Sequence, residues 1–163
     1  MTRILRNVQT RLLFLPFVGL TTVAFAAERR LTVSESVLVQ RVIDGDTIDV
    51  VGLGRVRLLG IDAPELGRPP ESAAPFARQA QEKLISLVLH RWVRLQYEDD
   101  RLDAYNRRLA YVLLESGVLV NAEIVRAGLA RVSLRRTLAR VDELTKAEAE
   151  AKAWRRGMWT HFQ

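Results

Sequence analysis

The sequence of 163 residues contains no cysteine and only two histidines, His90 and His161. The absence of cysteine excludes disulfide bonds and thiolate metal sites, and a domain of this size can fold without either. Two isolated histidines argue against a zinc site built on imidazoles and against a catalytic triad driven by histidine. Metal binding and acid–base chemistry are therefore left to carboxylates and to the other basic side chains.

Lysine is also scarce, since 22 of the 25 basic residues are arginines. Guanidinium groups bind phosphate bidentately, so this bias favours a site for a phosphorylated partner. Genome base composition would produce the same bias. The composition alone leaves both explanations open.

The sequence has no apolar run long enough to span a bilayer, although its first residues are apolar. Three arginines precede the uncharged residues 12–27, a run of 16 interrupted by Pro16 and Gly19, whereas a spanning helix needs roughly 20. The pattern is typical of a secretory signal and favours it over a retained membrane anchor. We expect residues 1–26 to be cleaved after Ala26, leaving a protein exported to the periplasm or the medium without stable membrane association.

Cleavage would leave residues 27–163, which are enough for one domain with a single core. The signal segment carries three arginines and no acids, so its removal lowers the net charge from +6 to +3. The mature protein is therefore only mildly basic. A site for a polyanion must come from local clustering of arginines.

Short runs rich in valine, isoleucine and leucine predict five strands. These strands cover residues 37–42, 47–51, 55–61, 92–97 and 109–114. The first three are separated by Asp-Gly and Gly-Leu-Gly turn sequences and are predicted to form a meander.

Apolar residues at helical spacing predict about three helices. The first begins near Phe76, the second runs from an Asn121 cap to Gly128, and the third covers about residues 138–156, with Trp154 in its apolar stripe. Helices after the third strand and after the fifth fit an α+β fold built on a five-stranded OB-type β-barrel.

Four carboxylates stand close together in the sequences Asp44-Gly45-Asp46-Thr47 and Asp62-Ala63-Pro64-Glu65. Hard oxygen ligands of this kind suit Ca²⁺ or Mg²⁺. The meander would bring Asp46 and Asp62 to one end of the barrel. An EF-hand is excluded because its ligand spacing is missing. Taken alone, the Asp-Gly sequence also fits an ordinary turn, and Glu65 also fits a solvated acid.

Two groups of arginines complement these acids. Arg55 and Arg57 alternate on a predicted strand and therefore share a face, which is either solvent or a functional cleft. Arg107 and Arg108 follow Tyr105 in a predicted loop, where a solvated basic turn is the alternative. Guanidinium groups stabilise the negative charge that develops in phosphoryl transfer, so these residues and the carboxylates together suggest a metal-dependent phosphodiesterase.

The order and content of these segments resemble the staphylococcal nuclease (thermonuclease) family. The resemblance runs from about Val37 to Trp159 and rests on three motifs, residues 44–47, 57–65 and 105–111. It implies that Asp46 and Asp62 ligate Ca²⁺, with the Ala63 backbone carbonyl as a third ligand and Asp44 close behind.

The same resemblance implies the catalytic and substrate-binding groups. Arg57 and Arg107 would clamp the scissile phosphate, and Glu65 would position or deprotonate the attacking water. Asp103 and Tyr105 would line the nucleotide pocket.

One segment departs from the family pattern. Where the well-known member has two tyrosines that stack on or flank the substrate, this chain has Leu134 and Arg136. The departure affects base stacking rather than catalysis.

The residues and this resemblance together predict an exported, monomeric, Ca²⁺-dependent nuclease that cuts single-stranded or locally unpaired DNA and RNA. The resemblance implies that its products carry 3′ phosphates. The alternative is an OB-type module that binds nucleic acid or a protein without cutting it. A binding module has no need of the full set of carboxylates and arginines, so their joint presence favours catalysis.

Overall fold

The structure is a computed structural model that describes residues 31–67, 71–98, 102–133 and 138–160. The predicted signal segment, residues 1–26, lies outside these ranges, as do Leu134 and Arg136. The export and domain predictions therefore stay predictions. Within the described ranges, no helix combines the length and the apolar character needed to cross a bilayer.

The described residues form eight strands and three α-helices, followed by a short 3₁₀ helix at Gly157–Trp159. They are β1 (Thr32–Val33), β2 (Val37–Val42), β3 (Thr47–Val50), β4 (Gly54–Leu58), β5 (Ile61–Asp62), α1 (Ala77–Val88), β6 (Trp92–Tyr97), β7 (Arg108–Leu114), α2 (Val120–Arg126), β8 (Arg131–Val132) and α3 (Val141–Ala153).

Five of the strands close into a mixed barrel. Strands β2, β3 and β4 form the predicted antiparallel meander. Strand β4 then pairs in parallel with β7, β7 pairs antiparallel with β6, and β6 returns to β2. The predicted α+β fold, a five-stranded OB-type barrel with three helices, is confirmed.

The helices cover the barrel with narrow apolar stripes. In α1 the fully buried residues are Ala77, Ala80, Leu84 and Val88, which recur every three or four positions on one face. Helix α3 buries Leu144, Ala147 and Ala151 in the same way. Small residues at these positions allow the helices to approach their neighbours closely.

The third predicted strand is broken into two. Strand β4 ends at Leu58, and Gly60, with φ of 81°, redirects the chain into β5, which pairs antiparallel with β8. A Cβ at Gly60 would lie 2.7 Å from side-chain carbons of Leu138 and Leu144. Asp62 therefore ends a separate short strand rather than the third strand of the meander.

The prediction that Asn121 caps α2 is wrong. Asn121 lies inside the helix, is fully buried, and the N-cap position is occupied by Leu119 without a side-chain cap. Its Oδ1 accepts the Val112 N–H at 2.9 Å, and its Nδ2 donates to the Leu59 carbonyl at 2.9 Å. The side chain thus satisfies barrel backbone groups instead of the helix end.

The predicted apolar stripe of α3 is also wrong at its last member, because Trp154 is 72% exposed. The helix ends at Ala153, and the next residues form a C-terminal motif. The Arg155 N–H donates to the Lys152 carbonyl and the Arg156 N–H to the Ala151 carbonyl. The chain turns away from the helix axis at this point.

Candidate active site

The sequence between β2 and β3 forms a turn that holds one carboxylate inside the protein. The Asp46 side chain is buried, its Oδ1 accepts the Thr47 hydroxyl at 3.0 Å, and its Oδ2 accepts the Ala63 N–H at 3.0 Å. Asp44 Oδ1 accepts the Asp46 backbone N–H at 2.9 Å. These bonds fix the position of Asp46 from both sides.

Gly45 is required by packing rather than by turn geometry. Its φ lies outside the left-handed region, and a Cβ there would lie 2.6 Å from the Ala80 Cβ and 2.7 Å from the Ala63 Cβ. Glycine therefore allows α1 and Ala63 to pack directly against the turn. The Asp-Gly sequence has a packing role that an ordinary surface turn does not need.

Arg57 joins the two predicted metal-binding carboxylates. Its Nη1 lies 3.0 Å from Asp46 Oδ2 and donates to the Ile61 carbonyl at 3.1 Å. Its Nη2 donates to Asp62 Oδ1 at 2.6 Å. The structure therefore brings Asp46 and Asp62 together around one guanidinium group, and Arg57 points into the site rather than into bulk solvent.

The Asp46 carboxylate has an unusual pKa in this arrangement. Burial raises the pKa of Asp46 to about 6, although the Arg57 charge and the Ala63 N–H both act to lower it. The nearby Asp44 charge adds to the increase. A carboxylate in this environment gains from additional positive charge beside it.

The loop between β6 and β7 is organised by Asp103. Its Oδ1 accepts the backbone N–H groups of Tyr105 and Arg107 at 2.9 Å each, and its Oδ2 accepts Arg107 Nε at 2.7 Å. Burial acts to raise the pKa of Asp103, but the hydrogen bonds and charge of Arg107 and the Tyr105 N–H hold it below its ordinary value.

This loop presents an aromatic ring and a guanidinium together. Tyr105 is 81% exposed, and the Arg107 guanidinium lies 5.3 Å from the centre of its ring. Arg107 makes its ion pair with Asp103 through Nε. Both side chains are placed to contact a ligand at the surface.

Two adjoining clefts share Tyr105 and Arg107. One, of about 400 Å³, is also lined by Ile43, Asp44, Thr47, Arg55 and Glu65. The other, of about 320 Å³, is also lined by Arg57, Leu58, Leu59, Gly60, Ile61, Asp103, Ala104, Leu109, Ser133 and Leu138. Every predicted site residue except Asp46, Asp62 and Ala63 lines one of these clefts. Arg57, which lines the smaller cleft, contacts Asp46 and Asp62, and the Ala63 N–H donates to Asp46.

Three residues contribute to this site although the sequence analysis gave them no role in it. Thr47 bonds to Asp46, Asn121 anchors the Leu59 carbonyl, and Ser133 lines the smaller cleft. Thr47 follows the Asp-Gly-Asp sequence directly and could have been found from that position. Asn121 and Ser133 lie far along the chain, and no sequence signal marks them.

The donor atoms of the site suit a hard cation. Within residues 31–67, 71–98, 102–133 and 138–160, no group of three or more histidine, cysteine, aspartate or glutamate side chains is arranged to hold a metal. Asp46 and Asp62 nevertheless converge on the positive charge of Arg57, and both supply carboxylate oxygens. A hard divalent cation fits this donor set.

A family model described as "Staphylococcal nuclease homologue" matches residues 55–161. The chain is similar to the thermonuclease of Staphylococcus intermedius, with 41% identity over 60% of this chain and 59% of that protein. This chain thus covers less than two thirds of that relative's length.

Two further relatives match over more of this chain. The thermonuclease of Staphylococcus hyicus is 32% identical over 74% of this chain and 73% of its own length. Endonuclease YncB of Bacillus subtilis (strain 168) is 34% identical over 77% of this chain and 62% of its own length. The chain belongs to the staphylococcal nuclease family.

Proposed function

We propose that this chain is an exported, Ca²⁺-dependent nuclease that hydrolyses phosphodiester bonds in DNA and RNA and leaves 3′-phosphorylated products. One observation carries the proposal: Asp46 and Asp62 converge on Arg57 at the edge of clefts that contain Arg107, Tyr105 and Glu65. The thermonuclease and endonuclease relatives support the reaction class.

Asp46, Asp62 and the Ala63 backbone carbonyl would hold the calcium ion, and Asp44 would keep Asp46 in position through the Asp46 N–H. The ion would supply positive charge to the non-bridging oxygens of the scissile phosphate. The buried position of Asp46 makes this charge favourable, because the carboxylate is poorly solvated.

The two arginines would hold the phosphate. Arg107 uses Nε for Asp103, which leaves its planar Nη groups as forked donors to two phosphate oxygens. Arg57 would exchange the Asp62 carboxylate for a phosphate oxygen when substrate enters. Together the two guanidinium groups would stabilise the charge that develops in the transition state.

The bond-breaking step would use a water molecule and Glu65. The Glu65 side chain is exposed and lines the cleft that also holds Asp44 and Arg107. It would position the water or accept its proton as the water oxygen attacks phosphorus. The bond from phosphorus to the 5′ oxygen would break, the leaving oxygen would take up a proton, and the products would carry a 3′ phosphate and a 5′ hydroxyl.

The smaller cleft would receive a nucleotide of the substrate. Asp103 would shape it by holding the loop, and Tyr105 would donate its hydroxyl to a terminal phosphate. The proposed contacts would reach phosphate rather than base edges, so we propose weak sequence preference and action on single-stranded or locally unpaired DNA and RNA. The protein would act as a monomer, free of the membrane after loss of residues 1–26.

A cleavage assay with end-group analysis tests the proposal. Purified protein is incubated with single-stranded DNA in Ca²⁺ or in excess chelator. We expect cleavage in Ca²⁺ alone, with product 3′ ends that become extendable by a polymerase only after phosphatase treatment. Equal cleavage in chelator would contradict the calcium assignment. Binding of the DNA without any cleavage would favour the alternative, a non-catalytic OB-type module.

A further inference from the structure

The end of α3 presents an aromatic side chain surrounded by basic residues. We call this surface the Trp154 patch and define it by Arg131, Lys152, Trp154, Arg155 and Arg156, all of which are exposed. Trp154 is 72% exposed. A large aromatic ring exposed among several basic side chains offers a flat stacking face beside positive charge.

The charge of the patch is mostly uncompensated. Residues 151–160 contain three basic residues and no acidic one. Lys152 pairs with Glu148 at 2.6 Å, whereas within the described part of the chain neither Arg131 nor Arg155 is ion-paired with a carboxylate. The patch therefore offers guanidinium groups beside an exposed indole.

The buried Trp159 ring contacts two basic residues of the patch. The Arg131 guanidinium lies 5.4 Å and the Lys152 ammonium 4.6 Å from the centre of its ring. Arg131 Nε also donates to Met158 Sδ at 3.4 Å. These contacts hold the cations of α3 and β8 on one surface.

The patch borders the candidate active site through β8. Arg131 is the direct antiparallel partner of Asp62, and Val132 is the partner of Ile61. Ile61 is buried, whereas Asp62 and Arg131 are exposed, so these two side chains share the outer face of the pair. Ser133, the next residue, lines the smaller cleft. Strand β8 thus leads from that cleft, past Asp62, to the patch.

Arg155 occupies a position where glycine is usual. It has φ of 48° directly after the α3 C-cap, in the left-handed region that disfavours residues with a Cβ. Backbone strain of this kind is often retained at functional positions. Arg155 directly follows Trp154 in the chain, and both side chains are exposed.

We propose that the Trp154 patch is a second contact region for single-stranded nucleic acid, which binds the part of a strand that extends beyond the cleavage site. Trp154 stacks on a base, and Arg155 and Arg131 contact phosphates. Exposed aromatic rings with adjacent guanidinium groups suit this ligand, because every base has a stacking face and every linkage carries a negative charge. This inference rests on the proposed function.

A binding experiment in excess chelator tests the patch without cleavage. The probes are a fluorescein-labelled oligothymidylate of about 12 nucleotides, within the usual range of single-strand sites, and a labelled dinucleotide. We expect Trp154→Ala to weaken binding of the longer probe about tenfold, the loss of one stacked base. Binding of the dinucleotide should not change, because it is too short to reach the patch.

Trp92→Ala is the matched control. Trp92 is 54% exposed and pairs with Leu38 at the start of β2, whereas Asp44 follows the other end of that strand. It therefore lies at the end of the barrel away from the site. Equal losses of affinity in Trp154→Ala and Trp92→Ala, or no loss in either variant, would contradict the proposal that the Trp154 patch binds nucleic acid.

Arg155→Gly removes one charge and the backbone strain together. We expect an unchanged or higher unfolding midpoint and a slope of log affinity against log salt that is smaller by about one phosphate contact. An unchanged slope would remove Arg155 from the proposal.

Cleavage by wild type in Ca²⁺ separates this inference from the proposed function. Wild type that cleaves DNA, but whose long-probe binding does not depend on Trp154, would overturn the patch and leave the nuclease assignment intact. Wild type that binds through Trp154 but never cleaves would support the patch and overturn the nuclease assignment.

Discussion

Asn121→Ala, in α2, should be one of the most destabilising single substitutions in the protein. Asn121 is fully buried and bonds to the Val112 N–H and the Leu59 carbonyl at 2.9 Å each, with a longer contact of 3.5 Å to the Ala110 carbonyl. Its truncation removes two good hydrogen bonds and leaves the Val112 N–H buried without its acceptor. With the cavity added, we expect a loss of about 3 to 5 kcal/mol in the free energy of unfolding.

Urea denaturation followed by circular dichroism measures this loss. Asn121→Leu restores most of the volume but not the hydrogen bonds, so it separates the cavity contribution from the polar one and should remain clearly destabilised. Ser86→Ala is the control, since the Ser86 hydroxyl bonds to the Lys83 carbonyl at an exposed helix position and its loss should cost less than about 0.5 kcal/mol. A loss below about 1 kcal/mol in Asn121→Ala would refute the assigned network.

Three further predictions concern the site. Arg107→Lys keeps the charge but loses the planar fork, so kcat should fall by about 10²- to 10³-fold in a single-stranded DNA cleavage assay. The exposed control Arg94→Lys should match wild type. Equal effects of the two substitutions would mean that these arginines act only as diffuse charge. Gly45→Ala places a Cβ 2.6 Å from the Ala80 Cβ, so unfolding in urea should show a loss of about 1 to 3 kcal/mol, and wild-type stability would contradict the close packing. Because the pKa of Asp103 is lowered in the folded state, its ionised carboxylate stabilises the fold at pH values above the ordinary aspartate pKa. This stabilisation is lost as the pH falls through the folded-state pKa. Asp103→Asn should therefore be less stable than wild type at pH 7, the difference should shrink at pH values below about 4, and a constant difference would exclude ionisation as its source.

The barrel was predictable because its signals are local. Valine-rich and isoleucine-rich runs separated by glycine turns defined the meander from Val37 to Leu58, and the apolar spacing of Ala80 and Leu84 defined α1. The closed barrel was predicted because helices follow the third and the fifth predicted strands, an order that fits an OB-type fold. The parallel pairing of β4 with β7 joins distant parts of the chain, which periodicity alone does not show.

The convergence of Asp46 and Asp62 was predicted from a meander that ends near Asp62, whereas in the structure Asp62 lies on the separate strand β5. Their contact with Arg57 was not predicted. Asp62 reaches Arg57 because Gly60 ends strand β4 and β5 then pairs with β8. The pairing of β5 with β8 joins residues about 70 positions apart in the sequence. The error at Asn121 has a similar cause. An asparagine near a helix start usually caps it, and burial against distant strands overrode the local preference.

The wrong prediction that Trp154 is buried shows a limit of arguments from helical periodicity. A tryptophan at helical spacing after Leu144, Ala147 and Ala151 predicts burial, but the helix ends one residue earlier and the motif at Arg155 turns the chain away. Trp159 is the buried tryptophan of this region instead. The exposure of Trp154, which the sequence pattern concealed, is the basis for the proposed second contact region.

The most direct test of the account is the rate of Ca²⁺-dependent cleavage of single-stranded DNA by Asp62→Asn. Asp62 is the more exposed of the two carboxylates that meet at Arg57, so its replacement by the isosteric amide removes a proposed calcium ligand with little effect on folding. We expect cleavage to be nearly abolished, while Asp142→Asn, an exposed change on α3, cleaves like wild type. Undiminished Ca²⁺-dependent cleavage by Asp62→Asn would contradict the proposed site.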